Sequence, residues 1–479
     1  MTPRSRLALA AAFLFLAGDL AAQDLPRAVA ERMAAEGLPR SALAYVVRRA
    51  DDGREVASFQ PGAAMAPAST LKLLTSAVAL DRLGPAWRGA TEMLVAGERR
   101  GDTLRGDLVL RGRADVDFDW VSLRRMLQRL RLQGVREIHG DLLLDRTYFQ
   151  PPRTDIGVPP FDDAPEFRYN VIPDALMVGM NLVDLELVSD ARTLRVASTP
   201  SIAGIAFEGR ATLVDAPCDD WEDLWKTPRV RESGRRETVE LTGPFPRDCA
   251  ASTAIAMVDR DRYIEGLVRS LWRELGGAWR GRLREAPTPA GARHVAVHRS
   301  RPLGELLRDI DKRSDNPTAR TMFLVLGAES QAGDAPTAAR AERVVRDWLA
   351  AHRIDASGLV LENGSGLSRT ERVSPALLAE VILAARAGPW APEFASSLPI
   401  AAVDGGVRKR LVDSPAAGRA RLKTGTLRDA SALAGWVPAA DGTLYVVVAI
   451  VNDTRAVKQV ARPMLDAMVD WVARGMPRE

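Results

Sequence analysis

Lysine is scarce in this chain of 479 residues: only six of its 66 basic residues are lysines, so arginine carries almost every positive charge. A retained lysine therefore raises the question of what arginine could not do at that position. Arginine cannot lose its proton inside a protein and so cannot act as a general base, whereas lysine can. Three of the six, Lys72, Lys312 and Lys423, lie within or beside short polar motifs. These motifs are the strongest functional signal in the sequence.

Histidine and cysteine are also rare: the chain has four histidines and two cysteines. His294 and His298 share one face of an expected strand, but no third ligand lies nearby, so we expect both at the surface and no metal site. Asp115, Asp117 and Asp119 have the spacing that begins a calcium-binding loop, but the glycine at position six and the glutamate at position twelve of such a loop are missing, so no calcium site is expected. The absence of His-Glu-x-x-His and Gly-x-Ser-x-Gly disfavours zinc peptidases and α/β-hydrolases. We expect neither a metal nor a cofactor.

Charge and hydropathy disfavour two further classes of protein, those that bind nucleic acid and those that span a membrane. The net charge is only +4, with acids and bases interspersed, which does not favour a nucleic-acid partner. Arg4 and Arg6 precede a short apolar stretch and a small-residue exit, so residues 1–22 are expected to be a cleaved signal peptide. No later run approaches the roughly 18 apolar residues that span a bilayer. Export permits disulfides, and Cys218 and Cys249 are expected to form one.

Hydrophobic periodicity predicts an α+β fold. Residues 23–90 have the pattern of a helix, a hairpin and a second helix, and residues 290–479 that of several helices followed by strands and a final helix. The N-terminal hairpin and the C-terminal strands together predict a five-stranded antiparallel sheet with helices on its faces. The expected sheet strands are 42–49, 54–59, 419–424, 432–438 and 444–452.

The middle of the chain has a different character. Between residues 91 and 289, short strand-like runs alternate with turns, and one helix is expected at 121–132. We expect a mainly β inserted region composed of two nested subdomains. Its expected strands are 107–111, 137–145, 182–188, 193–197 and 237–241.

The first chemical motif is Ser69-x-x-Lys72 at the start of an expected helix. Residues three apart on a helix project from the same face. The partial positive charge of the helix N-terminus disfavours an ammonium group, and burial lowers the pKa of a lysine further. A serine hydroxyl beside a neutral lysine is an activated nucleophile that needs no histidine. Alone, the motif is weak, because a capping serine and a solvated lysine meet the same spacing.

Two further motifs follow in order: Ser314-Asp315-Asn316, with Lys312 just before it, and Lys423-Thr424-Gly425-Thr426. This order is that of penicillin-recognising serine enzymes. Each motif alone has a structural explanation, as a helix start or a strand end. Together they indicate one active site, in which Lys312 has no assigned role and is expected to be a solvated surface lysine.

About half of the chain separates the first motif from the second, which is an unusually long gap. With this insertion, and with the segments 106–110, 138–142, 169–170 and 362–369, the sequence resembles the type-4 low-molecular-mass penicillin-binding proteins. These are the D-alanyl-D-alanine carboxypeptidase/endopeptidases of peptidase family S13. The resemblance implies a transpeptidase/β-lactamase-like catalytic domain of residues 23–90 and 290–479, interrupted by an accessory region of residues 91–289. It also implies an exported, soluble periplasmic enzyme.

The resemblance further implies roles for the motif residues. Ser69 would be acylated by the penultimate D-Ala carbonyl of a peptidoglycan stem peptide, and Lys72 would take its proton. Ser314 would relay a proton to the leaving amine. Asn316 would hold the substrate amide and Lys72. β-Lactam antibiotics would acylate the same serine as covalent inhibitors.

The remaining implied contacts are with substrate groups. Lys423 and Thr424 would bind the terminal carboxylate, and the backbone N–H of Thr426 would complete an oxyanion hole with that of the nucleophile. Arg369 would contact the substrate. Asp163 would meet the amino group of a diaminopimelate side chain.

Two alternatives remain open from the sequence. A β-lactamase would share all three motifs, but class A enzymes use a separate glutamate for deacylation, and no Glu-x-x-Leu-Asn follows Ser314. A non-catalytic penicillin-binding-like protein would keep the fold, yet a pure binder has no need for a lysine that can be neutralised.

Overall fold

The computed structural model describes residues 25–234, 236–330, 333–455 and 458–477. The expected signal peptide, residues 1–22, lies outside these residues. The helices are α1 Arg27–Ala35, α2 Lys72–Leu83, α3 Trp120–Leu132, α4 Trp221–Leu224, α5 Arg260–Glu274, α6 Leu303–Asp311, α7 Asn316–Ala328, α8 Thr337–Ala351, α9 Pro375–Ala387, α10 Ala391–Ser397 and α11 Lys458–Ala473.

The strands are β1 Leu43–Arg49, β2 Glu55–Phe59, β3 Ala90–Arg100, β4 Thr103–Arg113, β5 Glu137–Ile138, β6 Leu142–Asp145, β7 Val183–Ser189, β8 Leu194–Thr199, β9 Ile205–Gly209, β10 Thr212–Val214, β11 Arg229–Ser233, β12 Arg236–Leu241, β13 Pro244–Pro246, β14 Ala250–Ile255, β15 Ala278–Trp279, β16 Leu283–Glu285, β17 Arg293–Arg299, β18 Arg421–Thr426, β19 Ala430–Pro438 and β20 Leu444–Asn452.

The central sheet of the described residues has five antiparallel strands in the order β18–β19–β20–β1–β2. The turn between β1 and β2 places Gly53 at φ 70°, the left-handed conformation that glycine adopts readily. β1 pairs along its whole length with β20, beginning with Leu43 opposite Val451. β20 is buried almost throughout, as its unbroken apolar run predicts for a strand covered on both faces. The predicted α+β fold is confirmed.

Helices cover both faces of this sheet, because successive side chains of each strand point to opposite sides. Val46 and Val448 belong to a buried cluster with residues of α2, α7 and α9. Tyr45 and Val447 point the other way and pack with α1 and α11. The helix that begins with Lys72, α2, therefore packs in this cluster against α9, which lies on the sheet, and against α7, which carries part of the second motif.

The inserted region has its own buried core and is mainly β, as expected. β17 returns to pair with β3, so the sheet of this region reaches past residue 289 to Arg299. The two expected nested subdomains stay a prediction, and one buried cluster runs through the strands from β3 to β14 and the helices α3 and α5. α5 is absent from the sequence-based prediction. Cys218 and Cys249 form a disulfide with an S–S distance of 1.99 Å.

The inserted region contacts the rest of the chain at several charged and polar positions. Arg301 pairs with Asp117, with Nη2 2.8 Å from Oδ1. Arg168 Nε donates to Asp315 Oδ2 at 2.7 Å, which places the short turn Arg168–Asn170 beside the second motif. No helix in the described part of the chain is both long and apolar enough to cross a membrane.

One sequence expectation about histidine is wrong. His298 is partly buried instead of lying at the surface, and its Nδ1 is 2.7 Å from Oδ2 of the buried Asp115. Burial raises the pKa of Asp115, and the hydrogen bond to this carboxylate raises the pKa of His298. Within the described ranges, no group of three or more His, Cys, Asp or Glu residues is arranged to hold a metal ion.

Candidate active site

The candidate nucleophile lies in a tight turn that leads into α2. Residues Ala68–Leu71 form a 3₁₀ turn and Lys72 is the first residue of α2, so Ser69 lies just ahead of the helix. Ala68 has a φ of 46°, a left-handed conformation that costs a residue with a Cβ about 1–3 kcal/mol. Close packing holds the turn in place: a Cβ on Gly366 would lie only 1.8 Å from the Ala68 carbonyl oxygen.

Lys72 is fully buried, and three oxygens surround its amine. Nζ lies 3.0 Å from Ser69 Oγ, 2.6 Å from Asn316 Oδ1 and 2.6 Å from the Ser365 carbonyl oxygen. A neutral amine has two N–H groups and one lone pair. The amide and backbone oxygens can only accept hydrogen bonds, so they take both N–H groups. The lone pair is then left to accept the Ser69 hydroxyl proton, which is the geometry of a general base.

The electrostatic surroundings favour the neutral form of Lys72. Burial is the largest influence and lowers the pKa of the amine well below its usual value, and the positive charge of Lys423 lowers it further. Negative charges on Asp315, Glu371 and Asp311 oppose this shift without overcoming it. The site thus supplies a lysine that can act as a base near neutral pH.

The second motif forms the start of α7. Asp315 Oδ1 accepts from the Thr318 backbone N–H at 2.8 Å, a capping hydrogen bond that fixes where the helix begins. Ser314, just before the cap, has a φ of 59°, and its Oγ accepts a hydrogen bond from Lys423 Nζ at 2.9 Å. Asn316, the first helical residue, donates from Nδ2 to the Tyr169 carbonyl oxygen at 3.0 Å while its Oδ1 faces Lys72. The inserted region thus holds one side of the motif.

Lys423 meets the second motif from strand β18. Its Nζ lies 2.9 Å from Ser314 Oγ and 2.8 Å from the Thr424 carbonyl oxygen, and the side chain is buried. Burial lowers its pKa to about 8. The buried Asp311 accepts from Ser397 Oγ at 2.7 Å and raises the Lys423 pKa through its charge. Burial also raises the pKa of Asp311 itself to about 6.

The third motif lies directly beside Ser69, the candidate nucleophile. A Cβ on Gly425 would lie 2.8 Å from the Ser69 backbone nitrogen, so only glycine lets β18 come this close. Thr424 is partly buried and Thr426 is exposed at the end of the strand. The structure thus brings Ser69, Lys72, Ser314, Asn316 and Lys423 together, with Thr424 and Thr426 bordering them.

Lys312 does not join this group. It was expected to be a solvated surface lysine, but its side chain is only 13% exposed and forms an ion pair with Asp404. The sequence-based prediction also missed two buried carboxylates near the lysines, Asp311 and Glu371. For Glu371, the available sequence signal was the segment 362–369, which ends two positions before this residue.

The two outer candidates lie apart from the lysines. Arg369 is exposed, and its guanidinium stacks on the Phe161 ring at 4.2 Å to the centroid. Both residues line a cavity of about 530 Å³. Asp163 is exposed and is not among the residues that line this cavity. Its backbone carbonyl oxygen accepts from Thr227 Oγ1 at 3.0 Å, and its role as a substrate contact stays a prediction.

Comparisons with known proteins agree with this architecture. The profile of the D-Ala-D-Ala carboxypeptidase 3 (S13) family matches residues 25–475. A D-alanyl-D-alanine carboxypeptidase of an Actinomadura species is 30% identical over 419 residues, covering 84% of this chain and 76% of the relative.

Two solved structures have the same fold. The crystal structure of penicillin binding protein 4 from Haemophilus influenzae superposes with a TM-score of 0.77 at 23% identity, covering 93% of this chain and 99% of the other. A complex of that protein with a β-lactam superposes with a TM-score of 0.74 at 22% identity, covering 92% and 99%. On the family match and the Actinomadura relative, this chain belongs to the D-Ala-D-Ala carboxypeptidase 3 (S13) family.

Proposed function

We propose that this protein is an exported serine D,D-peptidase of the periplasm. It removes terminal D-Ala from peptidoglycan stem peptides and cleaves D-Ala cross-links through an acyl-serine intermediate. One observation carries the proposal: Lys72 Nζ has two carbonyl-type acceptors at 2.6 Å and the Ser69 hydroxyl at 3.0 Å. Family membership supports the D-Ala-D-Ala substrate.

In the acylation step, neutral Lys72 takes the hydroxyl proton of Ser69 as Oγ attacks the carbonyl carbon of the penultimate D-Ala. The resulting oxyanion is stabilised by the backbone N–H groups of Ser69 and Thr426, the type of donor whose loss costs roughly 3 kcal/mol. Collapse of the intermediate breaks the C–N bond to the terminal residue. Ser314 passes its hydroxyl proton to the leaving amine and regains one from Lys423 Nζ, 2.9 Å away.

Deacylation reverses these roles with water as the nucleophile. A water molecule adds to the acyl carbon and gives its proton through Ser314 to Lys423, which acylation left neutral. Lys72 returns its extra proton to Ser69 Oγ as the acyl C–O bond breaks. Asn316, which already holds the amine of Lys72 at 2.6 Å, keeps the base in place during both steps. Before acylation, while Lys423 still carries its charge, it binds the carboxylate of the terminal D-Ala together with Thr424.

The same serine is expected to react with β-lactams, because their strained amide carbonyl occupies the position of the scissile one. The solved complex of the Haemophilus influenzae protein with a β-lactam supports this expectation. The leaving nitrogen of a β-lactam stays tethered to the acyl group. Without a dedicated glutamate for deacylation, we expect the acyl-enzyme to persist for minutes, unlike that of a β-lactamase.

The test uses the purified mature protein with monomeric and cross-linked muropeptides, analysed by mass spectrometry. We expect loss of one alanine from pentapeptides and conversion of cross-linked dimers to monomers. Ser69→Ala and prior treatment with benzylpenicillin should each abolish both reactions. If Ser69→Ala releases D-Ala at the wild-type rate, the proposed function is wrong. If labelled penicillin leaves the protein within seconds, the β-lactamase alternative replaces it.

A further inference from the structure

A fully buried carboxylate lies beneath the active site and is not used by the mechanism above. Glu371 is 1% exposed, and its two oxygens accept four backbone hydrogen bonds. Oε1 accepts from the N–H groups of Glu362, Asn363 and Gly364 at 3.1, 2.8 and 2.8 Å, and Oε2 accepts from that of Gly366 at 2.9 Å. Burial, with a smaller contribution from the charge of Glu362, raises the pKa of this carboxyl, although the N–H groups oppose the shift. We call residues 362–367 the cradle loop.

The cradle loop touches the reacting groups at two points. The Ser365 carbonyl oxygen is one of the two acceptors that orient Lys72 Nζ, at 2.6 Å. Gly366 lies against the backbone just before the nucleophile, where a Cβ would be 1.8 Å from the Ala68 carbonyl oxygen and 3.0 Å from the Ser69 nitrogen. A shift of this loop would therefore move the base and the nucleophile relative to each other.

The loop is also tied to the helix of the first motif. Thr75 Oγ1 donates to the Gly364 carbonyl oxygen at 2.6 Å, one turn after Lys72. Within the loop, Asn363 Oδ1 accepts from the backbone and hydroxyl of Ser365 at 3.0 and 2.6 Å. Gly364 and Gly366 have φ of 71° and 78°, which lets successive N–H groups converge on one point.

On this geometry we propose that Glu371 is a positioning residue for acyl transfer: its carboxylate gathers the cradle-loop amides so that the Ser365 carbonyl holds the Lys72 amine toward Ser69. The inference rests on the proposed function, since it assigns Glu371 to the same step. The carboxylate acts through the loop and does not touch the substrate.

A carboxylate is required because all four partners are donors. Both oxygens of Glu371 accept, three N–H groups at one and one at the other. Glu371→Gln keeps the size of the side chain but replaces one of its two oxygens by an NH₂ group. In one orientation this NH₂ group faces the N–H groups of residues 362, 363 and 364, and in the other it faces the N–H group of Gly366. Two facing donors repel, so the loop moves away by several tenths of an ångström or more. Misplacement of a reacting group by about 1 Å can cost roughly 100-fold in rate.

The experiment measures acylation by a fluorescent penicillin in wild type, Glu371→Gln and a control. Rapid-quench labelling gives the fraction of protein labelled and the rate constant per labelled site. We expect Glu371→Gln to retain near-complete labelling with a rate constant lowered roughly 10- to 100-fold. For D-Ala release, kcat should fall while KM changes little. The control is Glu342→Gln, which removes the same charge from a partly exposed residue of α8 and should match wild type.

Two outcomes overturn the inference. An unchanged rate constant with full labelling would mean that the loop does not position Lys72. A reduced labelled fraction with an unchanged rate constant would mean that Glu371 only stabilises the fold. Should Glu371→Gln fail to fold, Glu371→Asp is the second variant, since it keeps the charge and both acceptor oxygens but draws the carboxylate back from the cradle-loop N–H groups by one methylene. A several-fold slower rate at full labelling supports the inference, and a wild-type rate refutes it.

Failure of the proposed function gives a different result. In that case wild type itself is not labelled at Ser69, or Ser69→Ala is labelled equally well. If wild type is labelled at Ser69 and Glu371→Gln matches it, only the positioning role of Glu371 is wrong.

Discussion

Lys72→Arg is the most direct test of the proposed chemistry, because it keeps a long basic side chain but removes the neutral amine that can accept a proton. Lys72 is 0% exposed, with two acceptors at 2.6 Å and Ser69 Oγ at 3.0 Å. The neutral amine offers two N–H groups and a lone pair to these three oxygens. A guanidinium group has only donors and stays charged, so no atom is left to accept the Ser69 proton.

The magnitude follows from the role. A positioned general base contributes about 100- to 10,000-fold in rate, which is about 3–5 kcal/mol of activation free energy. We therefore expect the rate constant for acylation by penicillin, and kcat/KM for D-Ala release, to fall by at least about 100-fold. The larger, permanently charged side chain should also lower Tm, because a buried charge without a dedicated partner is unfavourable.

The assay must separate these two effects. Rapid-quench labelling reports the rate constant for the folded fraction, and circular dichroism reports how much protein is folded at the assay temperature. Lys409→Arg is the matched control, since Lys409 is exposed and the same substitution there should leave both measurements unchanged. A Lys72→Arg protein that acylates within threefold of wild type would refute the general-base role and with it most of the mechanism.

Three further predictions concern Lys423, the disulfide and Gly425. The Lys423 pKa is about 8, so the side chain loses its charge above that pH and KM for carboxylate-bearing substrates should rise. The negative charge of Asp311 raises the Lys423 pKa, and Asp311→Asn removes that charge. In this variant the rise in KM should therefore begin at lower pH. Replacing Cys218 and Cys249 with serine opens a bridge across 31 positions. This change should cost about 3–4 kcal/mol of unfolding free energy, measured by urea denaturation, and leave the acylation rate constant unchanged. Gly425→Ala should slow acylation at least about tenfold, because its Cβ would push β18 away from the nucleophile.

Each of these has a result that contradicts it. A KM that is flat from pH 6 to 10 would mean that Lys423 does not bind the carboxylate as a titrating cation. A loss of acylation in the serine double variant would mean that the bridge shapes the site. For Gly425→Ala the control is Gly62→Ala, where a Cβ meets nothing within 4 Å. Equal rates for these two alanine variants would show that the close approach of β18 is not needed.

Membership of the D-Ala-D-Ala carboxypeptidase family was predictable from sequence because three short motifs occur in the order and with the residue types typical of that family. The central sheet was predictable for a different reason: Leu444–Asn452 is an unbroken apolar run, and such runs form strands buried on both faces. The ends of individual strands were predicted less accurately. The expected strand 137–145 is divided at Gly140, where the backbone of Gly106 comes so close that a Cβ would lie 2.1 Å from its carbonyl oxygen. A single sequence does not reveal such an approach.

Other omissions have different causes. The helix Arg260–Glu274 had a clear signal, with Asp259 as its cap and buried apolar residues at helical spacing, such as Ile264, Leu267 and Leu271. The prediction of a mainly β region overrode that signal. The role proposed for Glu371 had no such pattern, because a glutamate in a polar loop looks exposed, and its four partners are backbone groups whose convergence depends on the folded loop.

The pairing of β1 with β20 has a consequence for the order in which the molecule can fold. The two strands lie at opposite ends of the described chain, and β18, which presses against the nucleophile turn, is also near the end. Contacts between such distant segments form slowly, because a long loop must close first. Ser69 and Lys72, the proposed nucleophile and base, are therefore synthesised early, but they meet the third motif only after the last strands join the sheet. Until then β1 presents an unpaired edge, the kind of edge that promotes aggregation.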